Sequence, residues 1–244
     1  MTAALWRRLL AEFLGTGLLV TIVVGSGIMA TRLSDDVALQ LLANSTTTAM
    51  GLAVLILVFG PVSGAHFNPA VSLVEWWLGR RSGHGISLPH LGGYLAAQVA
   101  GAILGAILAN LMFGLAAVTW SQHPRTGADL WLGEVVATGG LILLIFALAR
   151  SGRTALAPAA IGAYIGAAYW FTSSTSFANP AVTVGRAFTD TFAGIAPSSV
   201  PGFVLAQIVG LLVGVAAVAL FYPHAGLAAD DVVVPSTPRA QRRS

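Results

Sequence analysis

Six long apolar segments limit what this chain can fold into. A lipid hydrocarbon core about 30 Å thick is crossed by about 20 consecutive apolar residues in a helix. Segments near or above that length recur along the chain, at residues 5–29, 37–59, 88–113, 130–150, 155–171 and 201–222. The sequence therefore predicts an all-α membrane protein with six transmembrane helices.

The composition agrees with a membrane protein and excludes several other classes. Of the 244 residues, 56% are hydrophobic and 9% are charged, whereas an average soluble domain is about 25% charged. Cysteine is absent, so a disulfide framework, a thiolate metal site and a cysteine nucleophile are excluded. All twelve basic residues are arginines dispersed between the apolar segments, and they form no basic face for nucleic acid. We therefore expect no nucleic-acid partner. We also expect no enzyme activity, cofactor or metal site.

Two further apolar segments, 68–78 and 179–188, are too short to cross a membrane. At a rise of about 1.5 Å per residue, roughly eleven helical residues reach only about halfway. Asparagine is a favoured N-cap, and proline is tolerated at the first helical position because its missing N–H would be unpaired there. Both segments begin with this pair in the same tripeptide, Asn68-Pro69-Ala70 and Asn179-Pro180-Ala181. The two segments are therefore predicted to be re-entrant half-helices.

The tripeptides belong to an internal repeat. Three matches recur in the same order, namely Glu12 and Thr16 with Glu134 and Thr138, the two tripeptides, and Ala97-Gln98 with Ala206-Gln207. The two halves of this repeat are predicted at about residues 1–122 and 128–224, and together they form one channel domain over residues 1–224. Residues 225–244 are expected to be a cytoplasmic tail without fixed structure. Because each half holds an odd number of spans, the second half enters the membrane from the opposite side. The half-helix N-termini, which carry partial positive charge, should meet near the midplane.

The arginines predict the orientation of the chain, because loops rich in arginine stay in the cytoplasm. If both termini are cytoplasmic, most of the arginines lie inside, namely Arg7, Arg8, Arg80, Arg81, Arg150, Arg153, Arg239, Arg242 and Arg243. Only Arg32, Arg125 and Arg186 lie outside. We therefore expect a multi-pass protein of the cell's inner (plasma) membrane with both termini in the cytoplasm.

Over about residues 5–222, the chain resembles the aquaporin and aquaglyceroporin family. The resemblance rests on both Asn-Pro-Ala tripeptides, on Ser63-Gly64-Ala65-His66 before the first, and on the glutamates of spans 1 and 4. It implies a passive channel for small uncharged solutes that forms homotetramers in the lipid bilayer, with one pore per subunit. By the same resemblance, the amides of Asn68 and Asn179 donate hydrogen bonds to a passing solute, and His66 lies at the pore mouth.

Glu12 and Glu134 are carboxylates at membrane depth, where ionisable residues are functional candidates by default. In the family that the chain resembles, the matching glutamates hold the re-entrant loops through hydrogen bonds, and we expect that supporting role here. The third glutamate, Glu75, is expected at the cytoplasmic interface. A proton-coupled secondary transporter remains an alternative, since inverted repeats and broken helices also occur in that class. A closed, junction-forming relative of the channels is the other alternative.

The resemblance also locates an outer selectivity filter, by counting from the two asparagines. Its four positions are Thr48 (with Thr46 or Thr47 as alternatives), Ala167, Ser176 and Val182. The family usually has an aromatic residue at the first position and an arginine at the last, so this chain departs from the pattern with four small side chains. The departure predicts a wide filter that passes water, glycerol, urea and neutral metalloid acids such as arsenous acid.

One arginine near the filter has two interpretations. Arg186 lies four residues after Val182, and helical side chains lean back toward the helix N-terminus. Its guanidinium either hangs over the outer pore mouth in place of the missing arginine, or pairs with Asp190 four residues further on. The sequence leaves both interpretations open.

Overall fold

The computed structural model describes residues 3–80 and 85–223. The α-helices within these residues are α1 Leu5–Leu33, α2 Val37–Ser63, α3 Pro69–Gly79, α4 Leu88–Met112, α5 Ala128–Arg150, α6 Ala157–Phe171, α7 Pro180–Gly185 and α8 Val200–Phe221. Six of them, all except α3 and α7, belong to segments long and apolar enough to cross a membrane. The predicted fold class, six transmembrane helices with two half-helices in an inverted repeat, is confirmed. The predicted tail, with its three arginines, and Arg81 lie outside the described residues.

Most helix bounds agree with the sequence prediction to within a few residues, and two helix ends differ from it. Helix α2 continues through Pro61 to Ser63 and ends where Gly64 adopts a left-handed φ of 91°. Glycine takes that conformation without the steric penalty of a Cβ atom, which makes it a common helix terminator. The second half-helix is α-helical only over Pro180–Gly185 and ends in a 3₁₀ turn over Arg186–Phe188.

The half-helices occupy the centre of the helix bundle. Helix α3 contacts α4, α5 and α8, and α7 contacts α1, α4 and α8. Their first turns are enclosed, since Ala70 and Ala181 are 2% and 0% exposed. The hydrophobic core continues into α1 and α5, where Val20, Val24 and Ile142 are buried. Many large apolar side chains on the outer faces of the long helices are exposed instead, as expected of a surface that lipid covers.

Helix α1 packs closely on α4, and α5 packs in the equivalent way on α8. Glycines make these approaches possible. A Cβ atom at Gly105 would lie 2.1 Å from the carbonyl oxygen of Gly17, and one at Gly210 would lie 2.6 Å from that of Val135. Small residues at such positions let helix backbones approach each other closely in a membrane.

We expect Gly105→Ala to destabilise the protein by about 1–3 kcal/mol, because the new methyl group would overpack the contact between α1 and α4. Gly92→Ala on the same helix is the matched control, since nothing lies within 4 Å of its Cβ position and alanine is the better helix former. The measurement is thermal unfolding of both purified variants in the same detergent. Equal stability of the two variants would contradict the close packing of α1 on α4.

Candidate solute pore

The first turns of α3 and α7 are tied to each other by their asparagines. The Nδ2 atom of Asn68 donates a hydrogen bond of 2.8 Å to the carbonyl oxygen of Ala178, and that of Asn179 donates one of 2.7 Å to the carbonyl oxygen of Phe67. Each half-helix is thus held by the loop of the other half of the chain. A side-chain amide has two N–H groups, so this bond leaves one N–H on each asparagine for a solute.

The same asparagines begin the half-helices. The Oδ1 atom of Asn68 accepts a hydrogen bond of 2.9 Å from the backbone N–H of Ala70, and that of Asn179 accepts one of 3.0 Å from Ala181. A proline follows each asparagine at the first helical position, where no N–H is needed. The two helix N-termini, with their partial positive charges, therefore meet at one place inside the bundle.

The loops that lead into the half-helices are strained at equivalent places. In each loop, the residues three before and one before the asparagine have left-handed φ angles: Ala65 (51°), Phe67 (49°), Ser176 (50°) and Ala178 (47°). This conformation costs a residue other than glycine about 1–2 kcal/mol, and it persists only where the surroundings fix it. Both loops therefore need support from the helices around them.

Two buried carboxylates supply that support. Glu12 of α1 accepts hydrogen bonds from the backbone N–H groups of His66 at 3.0 Å and Phe67 at 2.8 Å. Glu134 of α5 accepts from the two equivalent N–H groups of the second loop, both at 2.8 Å. Each carboxylate is 0% exposed. The geometry favours the supporting role that we expect for both glutamates.

A glutamine completes each of these networks. The Nε2 atom of Gln98 on α4 donates to Glu12 at 2.8 Å and to the Ser72 hydroxyl at 3.0 Å. Gln207 on α8 repeats the arrangement with Glu134 at 2.6 Å and with a threonine of α7 at 2.9 Å. Charge-assisted hydrogen bonds of this kind are stronger than neutral ones. The glutamines therefore join each half-helix to the carboxylate that holds its loop.

A cavity lies against the two asparagines. The volume open to the centres of water molecules is about 60 Å³. One water molecule needs roughly 10–15 Å³ of such volume, so the cavity can hold several. Polar side chains in its wall are Thr48, His66, Asn68, Tyr169 and Asn179. Apolar side chains come from both repeats, namely Leu19, Val23, Leu52, Ile56 and Val71 from the first and Leu141, Ile145, Ile161 and Ile165 from the second. Such a wall offers a small solute both hydrogen bonds and apolar contact.

Two of the four predicted filter residues line the cavity, and two do not. Thr48 and Val182 lie in its wall. Ala167 is exposed on the outer face of α6, in a surface groove beside Thr46, so its predicted place in the filter is wrong. Two residues further along, a rotation of about 200° around the helix, Tyr169 faces the cavity. Its hydroxyl lies 3.3 Å from the hydroxyl of Thr48.

The loop before Asn179 requires a second correction. Ser176 is 3% exposed and lies outside the cavity wall, and its hydroxyl has no hydrogen-bond partner in the described part of the chain. The neighbouring Phe177 lines the cavity instead, because the left-handed residues on either side of it change the direction of the loop. The expected ring of four small side chains is therefore not formed, since Tyr169 and Phe177 bring two aromatic rings to this wall.

Arg186 does not pair with Asp190. The Asp190 carboxylate accepts a hydrogen bond of 2.8 Å from the backbone N–H of Gln122. Arg186 is 2% exposed, and its Nε atom donates to the carbonyl oxygen of Ala193. Its guanidinium carbon lies 3.4 Å from the centroid of the Phe177 ring. The guanidinium thus rests on a ring of the cavity wall.

A second arginine approaches the same ring from the loop between α4 and α5. The guanidinium carbon of Arg125 lies 5.2 Å from the centroid of Phe177, and its Nε atom donates to the carbonyl oxygen of Gly194 at 2.9 Å. Burial lowers the pKa of Arg125 from its ordinary value, but an arginine side chain remains a cation at neutral pH. Over residues 3–80 and 85–223, neither Arg125 nor Arg186 forms a salt bridge with a carboxylate. This end of the pore therefore holds two guanidiniums that no carboxylate contacts directly in the described residues, although the buried Glu134 is close enough to attract both.

The histidine before the first tripeptide is held by both of its ring nitrogens. The Nδ1 atom of His66 lies 2.9 Å from the Ser72 hydroxyl, and its Nε2 atom lies 2.5 Å from a carboxylate oxygen of Glu75. Glu75 is only 5% exposed, so its carboxylate is enclosed by the protein; its expected place near the cytoplasmic interface stays a prediction. The ion pair with His66 offsets the cost of burying the carboxylate. The Tyr94 ring packs beside the imidazole at 5.2 Å.

The sequence reasoning missed five residues around the pore, namely Glu75, Gln98, Tyr169, Phe177 and Gln207. A signal for the glutamines was present, because the Ala-Gln pair recurs in both halves at corresponding places. The repeat could also have indicated a role for Glu75, because a second charged residue, Arg186, occupies the equivalent position seven residues after the asparagine of the second half. Tyr169 and Phe177 face the cavity because of the rotation of α6 and the conformation of the loop before Asn179. No sequence motif predicts either of these.

Comparison with known proteins places these features in a family. Residues 1–178 match the family described as "Major intrinsic protein". The chain is 53% identical to Aquaglyceroporin AqpS of Rhizobium meliloti, over 87% of this chain and 88% of that protein. It is 32% identical to the glycerol uptake facilitator protein of Pseudomonas aeruginosa, over 82% of this chain and 80% of that one. Its fold is similar to the X-ray structure of the aquaglyceroporin from Plasmodium falciparum, with a TM-score of 0.65 and 20% identity over 92% of this chain and 100% of that chain. The chain belongs to the major intrinsic protein family, whose members are channels and not enzymes.

Proposed function

We propose that this channel passes water, glycerol, urea and neutral metalloid acids such as arsenous acid. The coarser statement, a multi-pass membrane channel for small neutral solutes such as glycerol, follows from the family and from the aquaglyceroporin relatives. One observation carries the finer proposal. The cavity between the two half-helices has Asn68 and Asn179 in a wall that is otherwise largely apolar.

A neutral solute can exchange its hydration for contacts in this cavity. Asn68 and Asn179 each keep one amide N–H after bonding the opposite loop. The hydroxyls of Thr48 and Tyr169 add further polar groups to the wall, and the apolar side chains accommodate C–H groups. A buried donor or acceptor without a partner costs about 1–3 kcal/mol, so these fixed groups lower the barrier for a hydroxylated solute.

Cations are disfavoured at the same place. The N-termini of α3 and α7 direct partial positive charge at the cavity. Within the described ranges, no carboxylate lines the cavity that would replace the lost hydration of a cation. Both repulsion and desolvation therefore oppose the passage of ions, while neutral molecules avoid both.

The second candidate function is proton-coupled transport, and one observation favours it. His66 lies in the cavity wall and is paired with Glu75 behind it, so a titratable imidazole faces the path. Glu12 and Glu134 argue against this candidate, because their oxygens are occupied by hydrogen bonds from the loops and the glutamines. A proton relay needs carboxylates that exchange protons with the path, and these two hold the loops instead.

We propose that the outer filter is wide enough for glycerol but narrower than the filter that four small side chains would form. Thr48 and Val182 leave space that a larger side chain would fill. Tyr169 and Phe177 occupy another part of the same wall. Glycerol and arsenous acid each carry three hydroxyl groups and no charge at neutral pH, so one opening suits both solutes.

We also propose that the channel is a homotetramer in the inner membrane, with both termini in the cytoplasm. Large apolar side chains are exposed on the outer faces of α2 and α6, among them Leu39, Leu42, Met50, Trp170 and Phe171. Such faces pack against lipid or against neighbouring subunits. The arginine distribution supports the orientation.

The test is stopped-flow light scattering of proteoliposomes exposed to gradients of water, glycerol, urea and arsenous acid. We expect glycerol and urea permeabilities at least about tenfold above those of protein-free liposomes, because fixed polar groups replace the solute's hydration. A folded protein that passes water but excludes glycerol and urea would contradict the glycerol-sized filter. Absence of all flux would favour the closed, junction-forming alternative.

A further inference from the structure

The two halves of the pore correspond in sequence, and in each half one residue of the cavity wall has a charged partner at the equivalent position. Two residues before the tripeptide asparagine stand His66 in the first half and Phe177 in the second. Seven residues after it stand Glu75 and Arg186. In both halves the earlier residue lines the cavity. The later residue contacts the earlier one, through an ion pair between Glu75 and His66 in the first half and a cation–π contact between Arg186 and Phe177 in the second. The fold therefore uses one side-chain arrangement twice.

We propose that Phe177, Arg186 and Arg125 form the outer selectivity filter of this channel. They supply, from other positions, the aromatic ring and the guanidinium that Thr48 and Val182 do not supply. In this filter Phe177 limits the width of the solute, Arg186 positions the ring, and the two guanidiniums repel cations. The inference rests on the proposed channel function and deepens it.

The packing around Phe177 supports a fixed position for its ring. Arg186 lies on the ring with its guanidinium carbon 3.4 Å from the centroid, and the Phe203 ring packs against it edge to face at 5.1 Å. Arg125 approaches to 5.2 Å. With 4% of its surface exposed, Phe177 has little freedom to turn away from the cavity.

The two arginines are themselves anchored at neighbouring points of one loop. The Nε atom of Arg186 donates to the carbonyl oxygen of Ala193, and that of Arg125 donates to the carbonyl oxygen of Gly194. Two guanidiniums from distant parts of the chain are thus brought to the same ring. A guanidinium is planar and stacks on an aromatic face, whereas a lysine ammonium does not, so the arrangement is specific to arginine.

The charge of this site lies against Phe177, which shares the cavity wall with Val182, the position where the family usually has its filter arginine. Arg125 and Arg186 have no carboxylate partner in the part of the chain that the structure describes. A desolvated cation on an aromatic ring is stabilised by the ring electrons but keeps its net charge. The outer mouth therefore repels cations although position 182 holds valine.

The experiment compares the erythritol-to-glycerol permeability ratio and the cation leak of proteoliposomes carrying the wild type or variants. Phe177→Ala removes the ring, Arg186→Met removes the charge, and Arg186→Lys keeps the charge without the planar face. Arg32→Met is the matched control, because Arg32 lies on the Phe113 ring at 5.1 Å with its side chain exposed and away from the cavity. All variants are compared per folded channel.

We expect Phe177→Ala and Arg186→Met each to raise the permeability ratio by about tenfold or more, the scale on which a pocket discriminates one carbon. Arg186→Met should also raise the cation leak by about tenfold, because it removes a buried charge at the mouth. Arg186→Lys should raise the ratio while keeping cations out, which a purely structural role would not produce. Combining Phe177→Ala with Arg186→Met should raise the ratio no further than Phe177→Ala alone.

Unchanged ratios in Phe177→Ala and Arg186→Met would overturn the proposal, provided that the wild type conducts glycerol. A wild type without glycerol flux would instead overturn the proposed function. If Phe177→Ala does not fold, Phe177→Leu decides the matter, since leucine is smaller than phenylalanine and has no planar face for the Arg186 guanidinium. A Phe177→Leu channel with the wild-type ratio and the wild-type cation leak would also overturn the proposal.

Discussion

Replacing Asn68 with aspartate should lower glycerol permeability by at least about tenfold and admit cations. The substitution removes the N–H that donates to the Ala178 carbonyl oxygen at 2.8 Å and places a carboxylate oxygen against that carbonyl. The N-cap of α3 survives, because aspartate caps helices as well as asparagine does. Losing one buried hydrogen bond and gaining an unpaired buried charge costs about 1–3 kcal/mol or more, and about 1.4 kcal/mol corresponds to a tenfold change.

Asn44→Asp is the matched control for this substitution. Asn44 is 1% exposed, and its Nδ2 atom donates to the Val23 carbonyl oxygen at 2.8 Å, but its side chain does not line the cavity. We expect a comparable loss of stability with unchanged glycerol permeability per folded channel. Wild-type flux and ion exclusion in a folded Asn68→Asp, Asn179→Asp double variant would refute the role of these asparagines in the pore.

Replacing Glu12 with glutamine should destabilise the whole protein, by about 3 kcal/mol or more. One carboxylate oxygen accepts from the Ser63 hydroxyl and the His66 N–H, and the other accepts from the Phe67 N–H and the Gln98 amide. Glutamine has one oxygen, so its NH₂ group would face two donors. The strained loop before Asn68 would then lose half of its support.

Thermal unfolding in detergent and glycerol flux measure this effect together. Asp36→Asn is the control, because Asp36 caps the exposed start of α2 and asparagine caps equally well. We expect a lower midpoint and reduced flux for Glu12→Gln, and wild-type values for Asp36→Asn. A Glu12→Gln protein with wild-type stability would show that the carboxylate does not hold the loop.

The sequence was sufficient for the fold and for the half-helix starts because physical constraints at those places are strong. A hydrocarbon core admits only fully hydrogen-bonded backbone, so long apolar segments predict helices. The repeated motifs, with an odd number of spans in each half, predict the inverted repeat. Asparagine followed by proline has few structural roles other than a helix start. Cap geometry at Asn68 and Asn179 then follows from the residues themselves.

The filter could not be derived in the same way, because it depends on the rotation of α6 and on the path of a loop. An error of two residues along a helix turns a side chain by about 200°, which separates the exposed Ala167 from Tyr169 in the cavity wall. In the loop, left-handed residues on both sides of Phe177 remove any simple periodicity. The contact between Glu75 and His66 was missed for a related reason, since His66 lies beyond the start of the half-helix.

The central claim is that solutes pass through this protein passively, by an open path between the two half-helices. Tracer glycerol flux into proteoliposomes, measured over a wide concentration range with and without a proton gradient, tests it most directly. A channel predicts flux that rises in proportion to glycerol concentration and does not respond to the gradient. Flux that saturates with glycerol and follows the proton gradient would contradict the channel and identify a coupled transporter.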